Sequence, residues 1–250
     1  MIYTNKTQAK KLTSLSYLGG VATSSKIEKN LKMNEMTYVL YLAPASLSGH
    51  NVCSMSTYEC RESCLNESGR NRIDIHDNTT NIARIRKTKL FFEHREFFMG
   101  WLVDEIRTAK NKAEKLGFRF SVRLNGTSDL SPEIFKLHGK CILDIFNDVQ
   151  FYDYTKVFNR VKLLSKYSNY DLTFSFSGEN ETECLEALKN GARVAVVFNK
   201  PLPDTFWGYP VIDGDKYDMR YIDSTACIIG LKYKKVRNRI DFSKSTFVIS

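Results

Sequence analysis

The sequence predicts a mixed α/β fold whose sheet is mainly parallel, and two observations lead to that prediction. Stretches typical of strands and stretches typical of helices alternate from residue 38 to residue 198, as they do where helices join parallel strands. Polar loops follow four of the predicted strands, and ligands of such sheets and barrels gather at the carboxyl ends of the strands. We therefore expect one rim at which these loops meet.

The length and composition are those of a soluble globular protein. The chain has 250 residues, of which 42% are hydrophobic and 26% charged, so it can form one α/β domain with a large core or two small domains. We treat residues 1–36 as an N-terminal extension packed on the core. Residues 37–200 are expected to form a partial, open α/β barrel that carries a cysteine-rich loop, and residues 201–250 a β-rich segment of the same domain.

The first predicted strand spans residues 38–43, where β-branched and aromatic residues are frequent, and Pro44 ends it. A helical turn is expected at residues 60–65. A long helix is predicted from residue 82 to residue 116, because apolar residues recur there at intervals of three, four and seven. Gly117 ends this helix.

The second half of the chain continues the alternation and then loses its helices. Strands are predicted over residues 118–124, 149–154, 172–176 and 193–198, and helices over residues 156–164 and 181–189. Beyond two prolines, short strands are expected at residues 211–212, 218–222, 227–232 and 246–249.

Three of the six cysteines, Cys53, Cys60 and Cys64, lie within twelve residues in a loop that follows the first predicted strand. A structural zinc site needs four ligands, and His50 or His76 could add a fourth. An iron-sulfur cluster is held by cysteine thiolates, normally four, so three would leave one iron open. Disulfides fit poorly with an odd number of thiols and no secretion signal. The loop indicates a metal site, iron-sulfur before zinc, with structural or redox thiols as the remaining alternative.

The other three cysteines, Cys141, Cys184 and Cys227, lie on apolar segments. Buried structural thiols are the expectation for such positions. Cys227 is the best candidate among them for a fourth cluster ligand, and with it the iron would be closed.

The chain carries 37 basic and 28 acidic residues, a net charge of +9. A basic face can steer a polyanion, so nucleic acid or another anionic macromolecule is an expected partner; a solubilising surface is the alternative. No signal peptide or membrane span is apparent, and we expect a cytoplasmic protein with no membrane partner. The basic residues near the C-terminus are Lys232, Lys234, Lys235, Arg237 and Arg239.

The cysteine loop after the first strand, followed by Arg123-Leu-Asn-Gly-Thr-Ser-Asp129 at the end of the second, resembles the radical S-adenosylmethionine superfamily. The spacing of the cysteines differs from the usual one, and Ser63 stands where that superfamily commonly has an aromatic residue. The resemblance implies a partial α/β barrel and a 4Fe-4S cluster on Cys53, Cys60 and Cys64. The residues that it places at the S-adenosylmethionine cofactor are Asn125, Gly126, Thr127, Ser128 and Asp129, and we add Ser175, which lies at the carboxyl end of another predicted strand.

On that resemblance, Arg123, Tyr152, Asp153 and Lys156 would line the cavity of a radical enzyme that takes its electron from a host donor. Asp153 could transfer a proton, and Lys156 could hold an anionic group. A salt bridge between Asp153 and Lys156 at the rim is the alternative. A further cluster of charged residues, Asp218, Arg220 and Asp223, is expected to close the barrel mouth through ion pairs.

The whole chain looks like a bacteriophage protein family called gene product eighty-eight. That resemblance implies a phage protein in the infected host cell and brings no established activity. We therefore hold three hypotheses: a radical S-adenosylmethionine-like enzyme, a non-catalytic iron-sulfur protein with a nucleic-acid-binding surface, and a zinc-stabilised binding protein. The resembling stretches begin at Leu42, Cys64, Arg123, Val149 and Val211 and end at Cys53, Arg70, Asp129, Lys156 and Asp215.

Overall fold

The computed structural model describes residues 1–21, 23–64, 79–162, 166–234 and 241–250. Its helices are α1 (Lys6–Thr13), α2 (Ser25–Leu31), α3 (Tyr58–Glu62), α4 (Thr79–Glu93), α5 (Arg95–Lys115), α6 (Ile142–Ile145), α7 (Phe158–Val161) and α8 (Glu181–Lys189). Its strands are β1 (Gly19–Val21), β2 (Glu35–Leu40), β3 (Arg119–Arg123), β4 (Lys136–Leu137), β5 (Lys140–Cys141), β6 (Gln150–Thr155), β7 (Tyr170–Ser175), β8 (Val194–Phe198), β9 (Thr205–Phe206), β10 (Tyr209–Asp213), β11 (Ile228–Lys232) and β12 (Val248–Ile249).

One large sheet organises the described residues, with the order β1-β2-β3-β6-β7-β8-β11-β10-β9 and with β12 beside β8. The strands from β2 to β11 run parallel to their neighbours, and so does β10 to β11. The antiparallel strands β1 and β9 lie at the two ends. The prediction of a mainly parallel sheet is confirmed, but the sheet is not closed into a barrel.

One face of this sheet, here called the outer face, carries the larger apolar core. Val122, Phe151 and Tyr170 are register partners across three strands. They belong to one buried cluster with Phe98 and Trp101 of α5. Because the central strands follow one another in chain order, the helices that connect them can stack on the same side.

The opposite face, here called the inner face, is polar. Residues alternate between faces along a strand, so Arg123, Tyr152, Tyr154, Asp171 and Thr173 share this face. Helix α2 and the segment 213–223 cover it: Asn30 of α2 bonds Thr37 on β2 at 3.0 Å and accepts the backbone N–H of Asp218 at 2.9 Å.

The prediction of one long helix over residues 82–116 is wrong in one respect, because His94 separates α4, which ends at Glu93, from α5, which begins at Arg95. The backbone there leaves the helical region, with φ −138° and ψ 56°. A straight helix would bring His94 and Arg95 into the apolar stripe between Phe91 and Phe98. The break instead lays the Arg95 guanidinium on the rings of Phe91 and Phe135, at 4.1 and 4.3 Å from their centroids.

For the C-terminal segment, one prediction is wrong and another is confirmed. Residues 218–222 do not form a strand; they contain a 3-10 turn, Arg220–Ile222, in which Arg220 pairs with Asp223 at 3.2 Å, whereas residues three apart in a strand point to opposite faces. The tail does pair, as β12 runs parallel to the carboxyl end of β8. Among the described residues, no helix is both long and apolar enough to cross a membrane.

Candidate metal centre

The cysteine loop begins where β2 ends and is tied to the ends of two other parallel strands. Cys53 Sγ accepts the N–H of Ala45 at 3.5 Å and lies 3.9 Å from the carbonyl oxygen of Thr127, beyond β3. Thr57 caps α3 by accepting the N–H of Cys60 at 3.3 Å, and it donates to the carbonyl of Ser177, beyond β7, at 2.8 Å. The loop therefore lies across the carboxyl edge of the sheet.

The three loop thiols are half-buried, and two of them lie beside the ammonium group of Lys156, which follows β6. Lys156 bonds the side chain of Cys60 and interacts with the charge of Cys53. Cys64 lies close enough to Cys53 for its charge to act on the Cys53 thiol. The structure thus brings Cys53 and Cys60 to Lys156, one of the four residues predicted to line the cavity, with Cys64 near Cys53.

Burial and charge act in opposite directions at this cluster. Burial raises the pKa of Cys53 to about 11, against the smaller lowering effects of the Ala45 N–H and Lys156. Burial alone would lower the pKa of Lys156, but Cys60, Asp129 and Cys53 raise it above its ordinary value. The ammonium group therefore stays charged beside thiols that must lose their protons to bind a metal.

The segment predicted to contact a cofactor, Asn125 to Asp129, forms a tight loop whose polar groups are used internally. The side-chain oxygen of Asn125 accepts from Ser128 Oγ at 2.8 Å and from the N–H of Leu130 at 2.9 Å. Thr127 Oγ1 donates to the carbonyl of Leu42 at 2.5 Å.

Both ends of this loop are fixed to the strands and loops beside it. The N–H of Gly126 donates to the carbonyl of Leu40 at 3.0 Å. The N–H of Asp129 donates to the carbonyl of Val52 at 2.8 Å, and its carboxylate accepts the N–H of Lys156 at 2.7 Å. The loop therefore sets the position of both the cysteine loop and Lys156.

Asp153 follows Tyr152 along β6 and therefore lies on the opposite, outer face of the sheet. Its carboxylate does not pair with Lys156, the alternative considered from the sequence, but accepts hydrogen bonds from other groups. Its carboxylate accepts from the N–H and Nδ2 of Asn125 at 2.7 and 3.1 Å and from Tyr170 Oη at 3.1 Å. Burial raises its pKa to about 6, opposed by Arg123 and the Asn125 N–H. Asp153 therefore stabilises the loop that contains Asn125.

Arg123 and Tyr152 lie on the inner face and share one carboxylate. Asp218 accepts from Arg123 Nη1 at 2.8 Å and from Tyr152 Oη at 3.1 Å. Ser175 is buried on the same face at the end of β7, where its carbonyl accepts from Asn180 Nδ2 at 3.1 Å. The four residues predicted to line a cavity therefore occupy three places: the cysteine cluster, the outer face and the inner face.

The C-terminal tail reaches the cysteine loop, a contact that sequence analysis missed. Glu59 of α3 accepts from Ser245 Oγ and from the backbone N–H groups of Thr246 and Phe247, each at 2.9 Å. These bonds span more than 180 residues of chain, so no local pattern could indicate them. The tail holds the cysteine helix from outside, and the Phe247 ring lies 5.9 Å from Lys156 Nζ.

Of the remaining cysteines, Cys184 lies near enough to this edge for the charge of Lys156 to act on its thiol. Cys227 precedes β11, at the amino end of the sheet, where its thiol donates to the carbonyl of Ser224 at 3.1 Å. Cys141 and Cys184 are buried among the helices of the outer face. His50 stacks on Phe92 with ring centroids 4.3 Å apart.

His76 and the basic residues Lys235, Arg237 and Arg239 lie outside the described residues. Over the part of the chain that is described, no three His, Cys, Asp or Glu side chains stand together as ligands of a single metal ion.

Comparison with known proteins identifies one family. The family described as Gene product 88 matches residues 4–246, nearly the entire chain. No curated protein and no solved structure matches the sequence.

Proposed function

We propose that this chain, which belongs to the gene product 88 family, holds a 4Fe-4S cluster on Cys53, Cys60 and Cys64 and uses its open iron for catalysis. One observation supports the proposal: at the carboxyl edge of a parallel sheet, Cys53 and Cys60 lie beside Lys156, and Cys64 lies near Cys53. Thiolates are the usual ligands of such clusters, and this edge is where sheets of this kind bind ligands.

The positions of the other cysteines support three-thiol ligation. A closed cluster or a zinc site needs a fourth donor, and Cys227, the best candidate in the sequence, lies at the opposite end of the sheet. Cys141 is packed in the outer core, and Cys184, although the charge of Lys156 acts on it, is buried in an apolar cluster of that core.

The protein's own groups have definable roles at this site. Lys156 holds a positive charge beside the sulfurs and favours their thiolate forms. Asp129 fixes the backbone of Lys156, and Asp153 fixes the loop that carries Asp129. When bound, a cluster with an open iron supplies one-electron chemistry to a ligand at that iron.

We infer that this ligand is S-adenosylmethionine and that the scaffold is an open barrel of the radical S-adenosylmethionine type. The order of elements supports the inference, since the cysteine loop follows β2 and the Asn125 loop follows β3, its parallel neighbour. The Thr127 carbonyl of that loop lies 3.9 Å from the Cys53 sulfur, so the loop would lie beside a cluster held by that sulfur.

The proposal is tested by iron and acid-labile sulfide analysis of protein purified and reconstituted without oxygen. We expect about four of each per chain, and loss of most of both in Cys53→Ser, Cys60→Ser and Cys64→Ser. Cys227→Ala is the matched control and should keep the full content. One equivalent of zinc in place of iron, or full iron content in the loop variants, would reject the proposal.

A further inference from the structure

The inner face of the sheet carries buried polar atoms that the rest of the described chain does not satisfy. Five of them lack any hydrogen bond within the described residues: Arg123 Nε, Tyr154 Oη, Asp171 Oδ1, Thr173 Oγ1 and Arg220 Nε. Buried polar atoms are almost always hydrogen-bonded in folded proteins, and exceptions call for an explanation. Their concentration on one face points to a polar molecule there.

Charge is unevenly distributed along this face. Asp218, fully buried, faces Arg123 Nη1 at 2.8 Å and Lys26 Nζ at 3.2 Å. Arg220 adds a third positive charge, and these cations hold the pKa of Asp218 below its ordinary value although burial alone would raise it. Arg220 also pairs with Asp223 at 3.2 Å, so Lys26, Arg123 and Arg220 face two carboxylates and one positive charge is left over.

The excess charge lies beside Tyr154. The Arg123 guanidinium stands 4.8 Å and the Lys26 ammonium 5.9 Å from the centroid of the Tyr154 ring. The Tyr154 hydroxyl and its register partner Thr173 both have an unused donor. Two cations and two hydroxyl groups are a donor set suited to an oxyanion.

We propose that Lys26, Arg123 and Tyr154 form a binding site for the carboxylate or phosphate group of a small molecule. The Lys26 side chain is 26% exposed, so the site has access to solvent through α2. Lys156 directly follows β6, two residues beyond Tyr154. The proposed site therefore lies next to the cysteine cluster, farther from the carboxyl edge of the sheet. The proposal does not depend on the cluster, because every group that it uses belongs to the polypeptide.

A structural ion network is the competing explanation, and Tyr154→Phe separates the two. The substitution removes a hydroxyl that has no partner in the described structure, so we expect the thermal midpoint in sodium chloride to stay unchanged. If the hydroxyl binds an oxyanion, the same variant should bind that anion about tenfold more weakly, since one charge-assisted hydrogen bond is lost.

The experiment is a calorimetric titration of the full chain, without iron, with inorganic phosphate and separately with succinate, at constant ionic strength set by sodium chloride. We expect saturable binding of one or both anions, and the one that binds shows which source of the oxyanion the site accepts. Tyr154→Phe and Lys26→Gln should each weaken binding about tenfold. Tyr17→Phe, which changes an exposed tyrosine, should not.

Two results would overturn the proposal. One is the absence of saturable binding of either anion to the wild-type chain. The other is equal affinity in the wild type, Tyr154→Phe and Lys26→Gln, which would show that the anion binds elsewhere. Neither result bears on the iron content of the cysteine site, so this proposal and the proposed cluster can fail separately.

Discussion

Replacing Asp218 with Asn tests the ion network that joins the inner face to its cover. Asp218 is fully buried, and its carboxylate faces Arg123 at 2.8 Å, Lys26 at 3.2 Å and Tyr152 Oη at 3.1 Å. The variant keeps the shape of the side chain but leaves two cations without their counter-charge. Removing one partner of a buried ion pair costs about 3–5 kcal/mol.

That loss translates into a large thermal shift. For a chain of this size, each kcal/mol lowers the midpoint by about 2–4 °C, so Asp218→Asn should lower it by about 6–20 °C. Asp241→Asn is the matched control, because Asp241 pairs with Lys244 at 3.6 Å where both side chains are exposed. No measurable change of the midpoint is expected there, because solvent screens an exposed pair.

The effect should also depend on pH. Burial would raise the pKa of Asp218, but Arg123, Lys26 and Arg220 together lower it. A carboxylate with a lowered pKa in the folded state stabilises fully above its unfolded value, about 3.9, and loses this contribution as pH falls through the folded value. The difference between wild type and Asp218→Asn in urea unfolding should therefore shrink below about pH 4. A difference under about 1 kcal/mol at pH 7 would refute the reasoning, because the pair could not then be buried as described.

Three further predictions concern other sites. Burial lowers the pKa of Lys87 to about 8. Between about pH 8 and pH 10 the Lys87 side chain is therefore protonated in the unfolded chain and neutral in the folded chain, so stability should rise over this range. Lys87→Met should stabilise the protein at pH 7 by about 2 kcal/mol, because it removes the buried charge. Equal urea midpoints for the two proteins would contradict this. A methyl group at Gly126 would stand 2.6 Å from the Tyr41 ring and 2.9 Å from the carbonyl of Leu40, so Gly126→Ala should cost about 1–3 kcal/mol in urea unfolding; an unchanged midpoint would show that the loop can move aside. In Glu59→Gln the tail loses the carboxylate that accepts the Phe247 N–H, and amide hydrogen exchange at Phe247 should become faster, whereas unchanged protection would show that β12 alone holds the tail.

The central strands were predictable because their pattern is local. Val194 to Phe198 is a continuous run of apolar residues, four of the five being β-branched or aromatic, as buried parallel strands require. Once the strands were located in the sequence, the loops that follow their carboxyl ends were also known. The break between α4 and α5 was not predictable in this way, since the apolar stripe through Phe91 and Phe98 continues across His94 and no Pro or Gly marks the change.

The inner face depends on contacts between distant parts of the chain. Asp218 meets Arg123 across 95 residues, and Lys26 joins them from α2. The alternation of Tyr152 and Tyr154 places these side chains on one face, but only the fold shows that the segment around Asp218 covers that face. The assignment of Asp153 and Lys156 to one cavity is a different case, because residues three apart along a strand have opposite phase, and this local alternation already puts Asp153 on the outer face.

The most direct test of the central claim is the electron paramagnetic resonance spectrum of oxygen-free, dithionite-reduced protein before and after S-adenosylmethionine is added. We predict the signal of a reduced 4Fe-4S cluster, a change in that signal when the cofactor occupies the open iron, and formation of 5′-deoxyadenosine. A cluster signal that the cofactor leaves unchanged, with no cleavage product, would contradict an open catalytic iron held by Cys53, Cys60 and Cys64. The absence of any cluster signal from fully reconstituted protein would contradict the cluster itself.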